Sequence, residues 1–272
     1  MALPGKTRTA VIAAFVAVAS AAGLAVSAPQ PAAVPAPAPQ PAIAGARLAP
    51  GAPLPPAELE AFVDGVVGEA MAKDLIAGVA VSVVQNGQVI LKKGYGVDRM
   101  SPAARPVDPD RTLFRIGSIS KTFTWIALMK EVEAGRVRLD APVNLYLPLK
   151  AQVRDKGMKQ PVRARDLLTH SGGFEDRVLG QLMERNPARI RPLEVYLRQE
   201  SPRRVREPGG VPSYSNYVAV LAGEAVTQVS GHTFQAVAEG EVINARGLRR
   251  TTFREPYPAR NGLRAPMDAA PV

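Results

Sequence analysis

Residues 114–125 read FRIGSISKTFTW, and they place a serine, Ser118, three residues before a lysine, Lys121. Apolar residues recur after them with helical spacing, which predicts a helix over residues 118–134 that stops at Gly135. Residues three apart on a helix share a face, so the ammonium of Lys121 can reach the hydroxyl of Ser118. Two interpretations follow. The pair is a nucleophile beside its base, or Ser118 is an ordinary N-cap and Lys121 is solvated.

The catalytic interpretation needs a particular environment around the amine. A serine hydroxyl is a weak nucleophile until a base removes its proton, and a lysine acts as that base only where its charged form is disfavoured. The positive end of the helix dipole acts in this direction, because it disfavours a cation and favours an anion near Ser118. Apolar walls around the amine are expected from Phe114, Ile116, Phe123, Trp125 and Ile126.

A second candidate element, EPGGVPSYSNYVAVLAG, covers residues 207–223. Tyr214 and Asn216 follow a Pro-Gly loop and precede an apolar run that predicts a helix over residues 217–229, ending at Gly231. A phenol near a lysine can share a proton transfer, and a carboxamide can hydrogen-bond both a substrate carbonyl and the lysine. The alternative is a structural tyrosine followed by an N-cap formed by Ser215 or Asn216.

The remaining periodic segments predict a mixed fold. A helix is expected after Pro55 and Pro56, ending near Gly78, and a further helix over residues 162–168. Between the first helix and the serine, GVAVSVVQNGQVILKKGYG (78–96) holds two β-branched runs around Asn-Gly, the dipeptide of a tight hairpin turn. Two strands alone are marginally stable, so the sheet is expected to need further strands.

The N-terminal region predicts export. Lys6 and Arg8 precede an uncharged apolar run over residues 9–27, the pattern of a secretory signal, and the run is about as long as the ~17–20 residues of a membrane-spanning helix. Residues 1–28 are therefore expected to be a signal peptide or an N-terminal membrane anchor. Residues 29–56, rich in Pro and Ala, are expected to form an extended linker, and residues 57–272 the domain. We expect a periplasmic or cell-envelope protein of a bacterium.

Composition excludes several classes of function. The chain has no cysteine, which rules out thiol catalysis and thiolate metal sites, and only two histidines, His170 and His232, which disfavours a histidine metal site. The net charge of +10 is spread along the chain, and aromatic residues make up only 5% of it. Nucleic-acid binding is therefore not expected, and an anionic envelope surface is the preferred partner of the charge.

Three segments carry a resemblance to a known family: LFRIGSISKTFTWIALMKEVEAGRVRLDAPVNLYLP (113–148), RARDLLTHSGGF (163–174) and PGGVPSYSNYVAVLAGEAV (208–226). In this order they resemble the β-lactamase-related serine hydrolases, which include class C β-lactamases, D-alanyl-D-alanine carboxypeptidases and esterases. The resemblance runs over about residues 59–253. It implies an α+β fold of the β-lactamase/transpeptidase type, with an antiparallel sheet flanked by helices, a mainly helical region, and the active site at their junction.

The same resemblance implies the chemistry. It makes Ser118 the nucleophile of an acyl-enzyme mechanism, Lys121 its proton acceptor, Tyr214 the acid/base partner of the leaving group, and Asn216 the residue that positions substrate and lysine. It implies the Ser118 backbone N–H as one oxyanion donor and no metal or organic cofactor. The expected substrate is a small molecule or a peptidoglycan peptide: a β-lactam, a D-Ala-D-Ala peptide, or a related amide or ester. The oligomeric state stays open.

The sequence departs from the family at one motif. A K-T-G or H-x-G is expected downstream of Tyr214, but the HSG at residues 170–172 lies upstream. A C-terminally truncated domain with an incomplete sheet is therefore expected, and the alternative function is an inactive fragment or a remnant that binds cell wall or β-lactam. His170 and Asp166 are interpreted as shaping a loop, because no G-x-S-x-G motif supports a Ser-His-Asp triad.

Overall fold

The computed structural model of the 272-residue chain describes residues 48–154, 157–176, 184 and 186–254. The chain divides into two units, Met1–Ala52 and Pro53–Val272. In the first, the described residues 48–52 form a turn in which the Ala52 N–H donates to the Ala49 carbonyl (3.0 Å). The predicted leader and the predicted linker up to residue 47 lie outside the described residues, and so does the tail from residue 255. The domain boundaries therefore stay predictions.

Helix α1, Pro56–Asp74, opens the second unit. Its first residue is a proline, which is well placed because the first N–H groups of a helix have no partner within it. The prediction that this helix runs to about Gly78 is wrong. Leu75 takes the left-handed conformation (φ 53°) that closes the helix, and the Ile76 N–H donates back to the Met71 carbonyl (3.1 Å).

Among the described residues, the sheet has three antiparallel strands in the order β1-β2-β3. Strands β1, Gly78–Gln85, and β2, Gln88–Arg99, form the predicted hairpin, which is confirmed. Its turn residues Asn86 (φ 51°) and Gly87 (φ 77°) both take the positive φ that the Asn-Gly dipeptide indicated. Strand β3, Arg105–Pro106, pairs with β2 and was not predicted, since two residues display no periodicity.

Polar contacts fasten α1 to the sheet. The Lys93 ammonium on β2 donates to Glu60 (2.6 Å) and Asp64 (2.9 Å) on α1. The Tyr95 hydroxyl, two residues further along β2, donates to the other oxygen of Asp64 (2.7 Å). The hydrogen bonds from Lys93 and Tyr95 hold the pKa of Asp64 below its usual value.

The mainly helical region follows the sheet. The helices described in it are α2 Ser120–Glu133, α3 Ala164–Leu168, α4 Leu193–Gln199, α5 Tyr217–Ser230 and α6 Phe234–Val237, the last continuing into a wider turn at Ala238–Ile243. The predicted stops of α2 and α5 are confirmed, because Gly135 (φ 74°) and Gly231 (φ 72°) are left-handed. Helix α4 was not predicted. Helix α3 begins two residues later than expected, where Asp166 accepts the Arg163 N–H (2.8 Å).

The core lies where α2 packs against α5. Leu128 on α2 and Leu221 on α5 are fully buried, and burial of such a side chain contributes about 1.5–3 kcal/mol. These two helices also begin at the two candidate catalytic motifs. Core packing therefore sets the relative position of the motifs. Within the described ranges, no helix is long and apolar enough to cross a bilayer.

Candidate active site

Ser118 and Lys121 lie at the start of α2. Ser118 is on a single 3-10 turn, Gly117–Ile119, that leads directly into the helix, and Gly117 before it takes a positive φ of 52° that glycine tolerates. Lys121 is in the first turn of α2, and its Nζ lies 3.2 Å from Ser118 Oγ. The Ser118 side chain is exposed and Lys121 is half-buried. The contact predicted from the three-residue spacing is present.

Tyr214 and Asn216 approach the same amine from the loop before α5. Lys121 Nζ donates to Tyr214 Oη at 2.6 Å and to Asn216 Oδ1 at 2.7 Å. The Tyr214 hydroxyl in turn lies 2.6 Å from Ser118 Oγ. The structure thus brings all four predicted site residues together, although Tyr214 and Ser118 are 96 residues apart in the chain. Their catalytic roles stay predictions.

The surroundings of Tyr214 lower the pKa of its hydroxyl. Burial raises the pKa of Tyr214, but the hydrogen bonds with Lys121 and Ser118 and the positive charge of Lys121 outweigh it, so the pKa lies below the ordinary tyrosine value. The Lys121 ammonium also lies 4.8 Å from the centre of the Tyr214 ring. A phenolate next to a serine hydroxyl is a competent general base.

His170 contacts Tyr214 through its ring and Ser215 through its Nδ1. Its ring stacks on the Tyr214 ring (centroids 4.7 Å apart) and meets Trp125 edge to face (5.9 Å). Its Nδ1 accepts the Ser215 N–H (3.2 Å), which requires an unprotonated Nδ1. Burial, followed by the charge of Lys121, lowers the pKa of His170 and so favours the neutral ring. Asp166 hydrogen-bonds to Ser171 and not to His170 (Ser171 Oγ to Oδ1, 3.2 Å).

Asp176 is a site residue that sequence reasoning missed. Its two carboxylate oxygens accept both the backbone N–H of Asn216 (2.9 Å) and the side-chain Nδ2 of Asn216 (3.1 Å). Because the amide nitrogen is held by Asp176, the amide oxygen points to Lys121. The only sequence signal was an acidic residue two positions after the GGF that ends the second quoted family segment, and it had no recognisable spacing to Asn216.

The predicted apolar walls around Lys121 are largely wrong. Phe114, Ile116 and Ile126 are 45%, 41% and 41% exposed, and Phe123 and Trp125 are half-buried. Residues three or four apart on a helix share a face. Phe123 is two residues after Lys121 and Ile126 is five residues after it, so neither lies on the same helix face as Lys121. The amine is instead surrounded by polar acceptors. Among the described residues, no group of three or more His, Asp or Glu side chains is arranged to hold a metal ion.

The α+β architecture and the convergence of S-x-x-K and Y-x-N on one amine define the class of β-lactamase-related serine hydrolases. The Beta-lactamase family model matches residues 63–271, and the chain belongs to the beta-lactamase family.

Three similar proteins illustrate the relationship. Esterase EstB of Burkholderia gladioli is 29% identical over 219 residues, which are 75% of this chain and 54% of EstB. The octameric penicillin-binding protein homologue from Pyrococcus abyssi superposes with a TM-score of 0.61 at 28% identity, covering 75% of this chain and 45% of that one. A class C beta-lactamase, at 24% identity, shares the fold with a TM-score of 0.58, covering 73% and 52%. The chain spans about half the length of these relatives.

Proposed function

We propose that the protein is an exported serine hydrolase that cleaves an ester or amide through an acyl-enzyme at Ser118. One observation carries the proposal: a single amine, Lys121 Nζ, contacts the serine, the phenol and the carboxamide oxygen at once. An ammonium has three N–H donors, one for each of these three atoms. The amine then acts as the positive charge that stabilises a Tyr214 phenolate.

The proposed reaction runs in two halves. Ser118 Oγ attacks the substrate carbonyl while its proton passes to Tyr214 Oη, 2.6 Å away. Tyr214 then donates that proton to the leaving oxygen or nitrogen, and the acyl group stays on Ser118. In the second half Tyr214 takes a proton from water, the resulting hydroxide cleaves the acyl-serine ester, and the proton returns to Ser118. Family resemblance gives the proton-accepting role to Lys121, whereas the reaction proposed here gives it to Tyr214, with the charge of Lys121 stabilising the phenolate.

Three substrate classes fit this chemistry: carboxylic esters, β-lactams and D-Ala-D-Ala peptides. The relative with 29% identity is an esterase, which supports an ester, and the penicillin-binding protein homologue supports a β-lactam; the D-Ala-D-Ala peptide rests on the family resemblance. Ser118 and Tyr214 are both exposed in the described part of the chain, so an acyl donor can reach them from solvent. An activated ester is therefore the first substrate to test.

Acylation of Ser118 tests the function directly. The purified chain is mixed with p-nitrophenyl acetate and, separately, with a fluorescent penicillin, and adducts are located by mass spectrometry of peptides. The proposal expects an adduct at Ser118 that is lost in Ser118→Ala and kept in Ser82→Ala, a control serine exposed on β1. Absence of any adduct with either reagent supports the alternative of an inactive or merely binding chain.

Export rests on Lys6 and Arg8 before the apolar run over residues 9–27. Expression of the full chain with fractionation into cytoplasm, membrane and periplasm tests it. A soluble periplasmic product with a new N-terminus indicates a cleaved signal peptide, and a full-length product in the membrane fraction indicates an anchor. A full-length cytoplasmic product contradicts export.

A further inference from the structure

A cavity of about 440 Å³ lies beside α4, in the mainly helical region, and its lining does not include the residues of the candidate active site. It is lined by Lys150, Gln152, Arg154, Leu197, Arg198, Ser201, Pro202, Arg203 and Arg204. The volume falls within the range of about 300–1,000 Å³ that small-molecule sites occupy.

The side chains that line this cavity carry an excess of positive charge. Five of its lining residues are cationic, and none of the described residues that line it is acidic. Arg204 already donates to the Gln160 carbonyl (3.4 Å), so the other four cations are the ones that a ligand in the cavity would meet. Like charges gathered around one concave surface repel each other, and an anion between them removes that repulsion.

The neutral part of the lining completes a small-molecule site. Leu197 and Pro202 are buried and apolar, and the neutral polar residues are Ser201 and Gln152, whose Nε2 already donates to the Asn144 carbonyl (3.2 Å). Arginine guanidinium groups match phosphate oxygens with two parallel N–H donors, which makes arginine-rich pockets suited to phosphates. Four of the five cations here are arginines.

We propose that this cavity, the α4 pocket, binds a phosphate-bearing ligand with at least two negative charges, at a site separate from Ser118. The ligand is either a soluble organic phosphate or the headgroup of an anionic phospholipid, which share this chemistry. The proposal does not rest on the hydrolase activity, because Ser118→Ala leaves every lining residue intact and is expected to bind the ligand equally well.

Calorimetry with pyrophosphate tests the pocket. Arg198→Gln combined with Arg203→Gln removes two exposed cations from the lining, and Arg246→Gln combined with Arg249→Gln removes two exposed cations elsewhere, so both variants lose the same charge. Loss of charge-assisted hydrogen bonds is expected to weaken pyrophosphate binding at least about tenfold in the pocket variant, and less than about twofold in the control. Equal weakening in both variants, or no binding to the wild type, overturns the proposal. Thermal melting confirms that both variants are folded.

Vesicle flotation separates the two sources of phosphate. The full chain is floated with phosphatidylcholine vesicles that contain or lack phosphatidylglycerol, with and without pyrophosphate. A lipid headgroup is supported if the pocket variant floats less than the control variant and pyrophosphate competes with the vesicles. A soluble phosphate is supported if both variants float equally while only the pocket variant has lost pyrophosphate binding. The apolar N-terminal run is the same in both variants, so their difference isolates the pocket.

Discussion

The substitution Asp176→Asn tests whether the orientation of Asn216 matters for catalysis. In the wild type one carboxylate accepts two hydrogen bonds from Asn216, at 2.9 Å from the backbone N–H and 3.1 Å from Nδ2. An asparagine at this position has a single acceptor oxygen, so one of the two donors faces an NH₂ group instead. The Asn216 amide is then free to rotate its oxygen away from Lys121.

The size of the effect follows from the bond that is lost. A hydrogen bond to a charged group contributes about 1.5–3 kcal/mol, and about 1.4 kcal/mol corresponds to a factor of ten. The rate constant for acylation of Ser118 is therefore expected to fall about 10- to 100-fold. The negative charge of Asp176 also raises the pKa of Tyr214, so its removal is expected to shift phenolate formation to lower pH.

Stopped-flow release of p-nitrophenol measures acylation, and phenolate absorbance measured against pH reports the Tyr214 titration. Glu175→Gln is the matched control, because it removes an exposed acid at the adjacent position and is expected to change neither quantity. An Asp176→Asn protein that is stably folded, acylates within about twofold of wild type and keeps the wild-type phenolate midpoint refutes the reasoning. A merely structural role would lower the melting temperature without moving the midpoint.

Three further predictions concern the same residues. Tyr214→Phe removes the hydroxyl that lies 2.6 Å from Ser118, and stopped-flow acylation is expected to slow by about 10²- to 10⁴-fold with an unchanged melting temperature. Lys121→Met removes the charge that lowers the pKa of Tyr214, so the pH at which half of the Tyr214 phenolate has formed should rise. That midpoint is measured from phenolate absorbance after subtraction of the Tyr214→Phe signal, and a fall would contradict the assigned electrostatics. The pKa of His170 is lowered from 6.5 in the folded state, so the unfolded chain binds the proton more readily, and the free energy of unfolding should decrease as pH falls below 6.5. In urea titrations, the loss of unfolding free energy at low pH should be smaller in His170→Asn than in the wild type. Asparagine is chosen because it tolerates the positive φ at this position (54°).

Elements with strong local signals were predictable. The Asn86-Gly87 dipeptide specified the hairpin, and Gly135 and Gly231 marked the ends of α2 and α5, because the required positive φ angles suit those residues. The contact between Ser118 and Lys121 follows from helical spacing alone. The meeting of Lys121 with Tyr214 does not, and family resemblance supplied it.

Elements that depend on tertiary contacts were missed. Strand β3 has two residues and is defined by its pairing with β2. Leu75 ends α1 in a left-handed conformation that glycine usually takes, so a leucine at this position did not indicate the end of the helix. Asp176 acts on a residue 40 positions away, and a single carboxylate shows no spacing that indicates such a partner.

The 96-residue separation between Tyr214 and Ser118 has a consequence for how the chain behaves before it has folded. A nascent or partly unfolded polypeptide carries this serine with no phenol beside it, so the proposed acylation requires that distant parts of the chain have met. With that acylation, labelling of the serine by a reactive ester would report when the tertiary structure forms during synthesis or refolding, without any introduced probe.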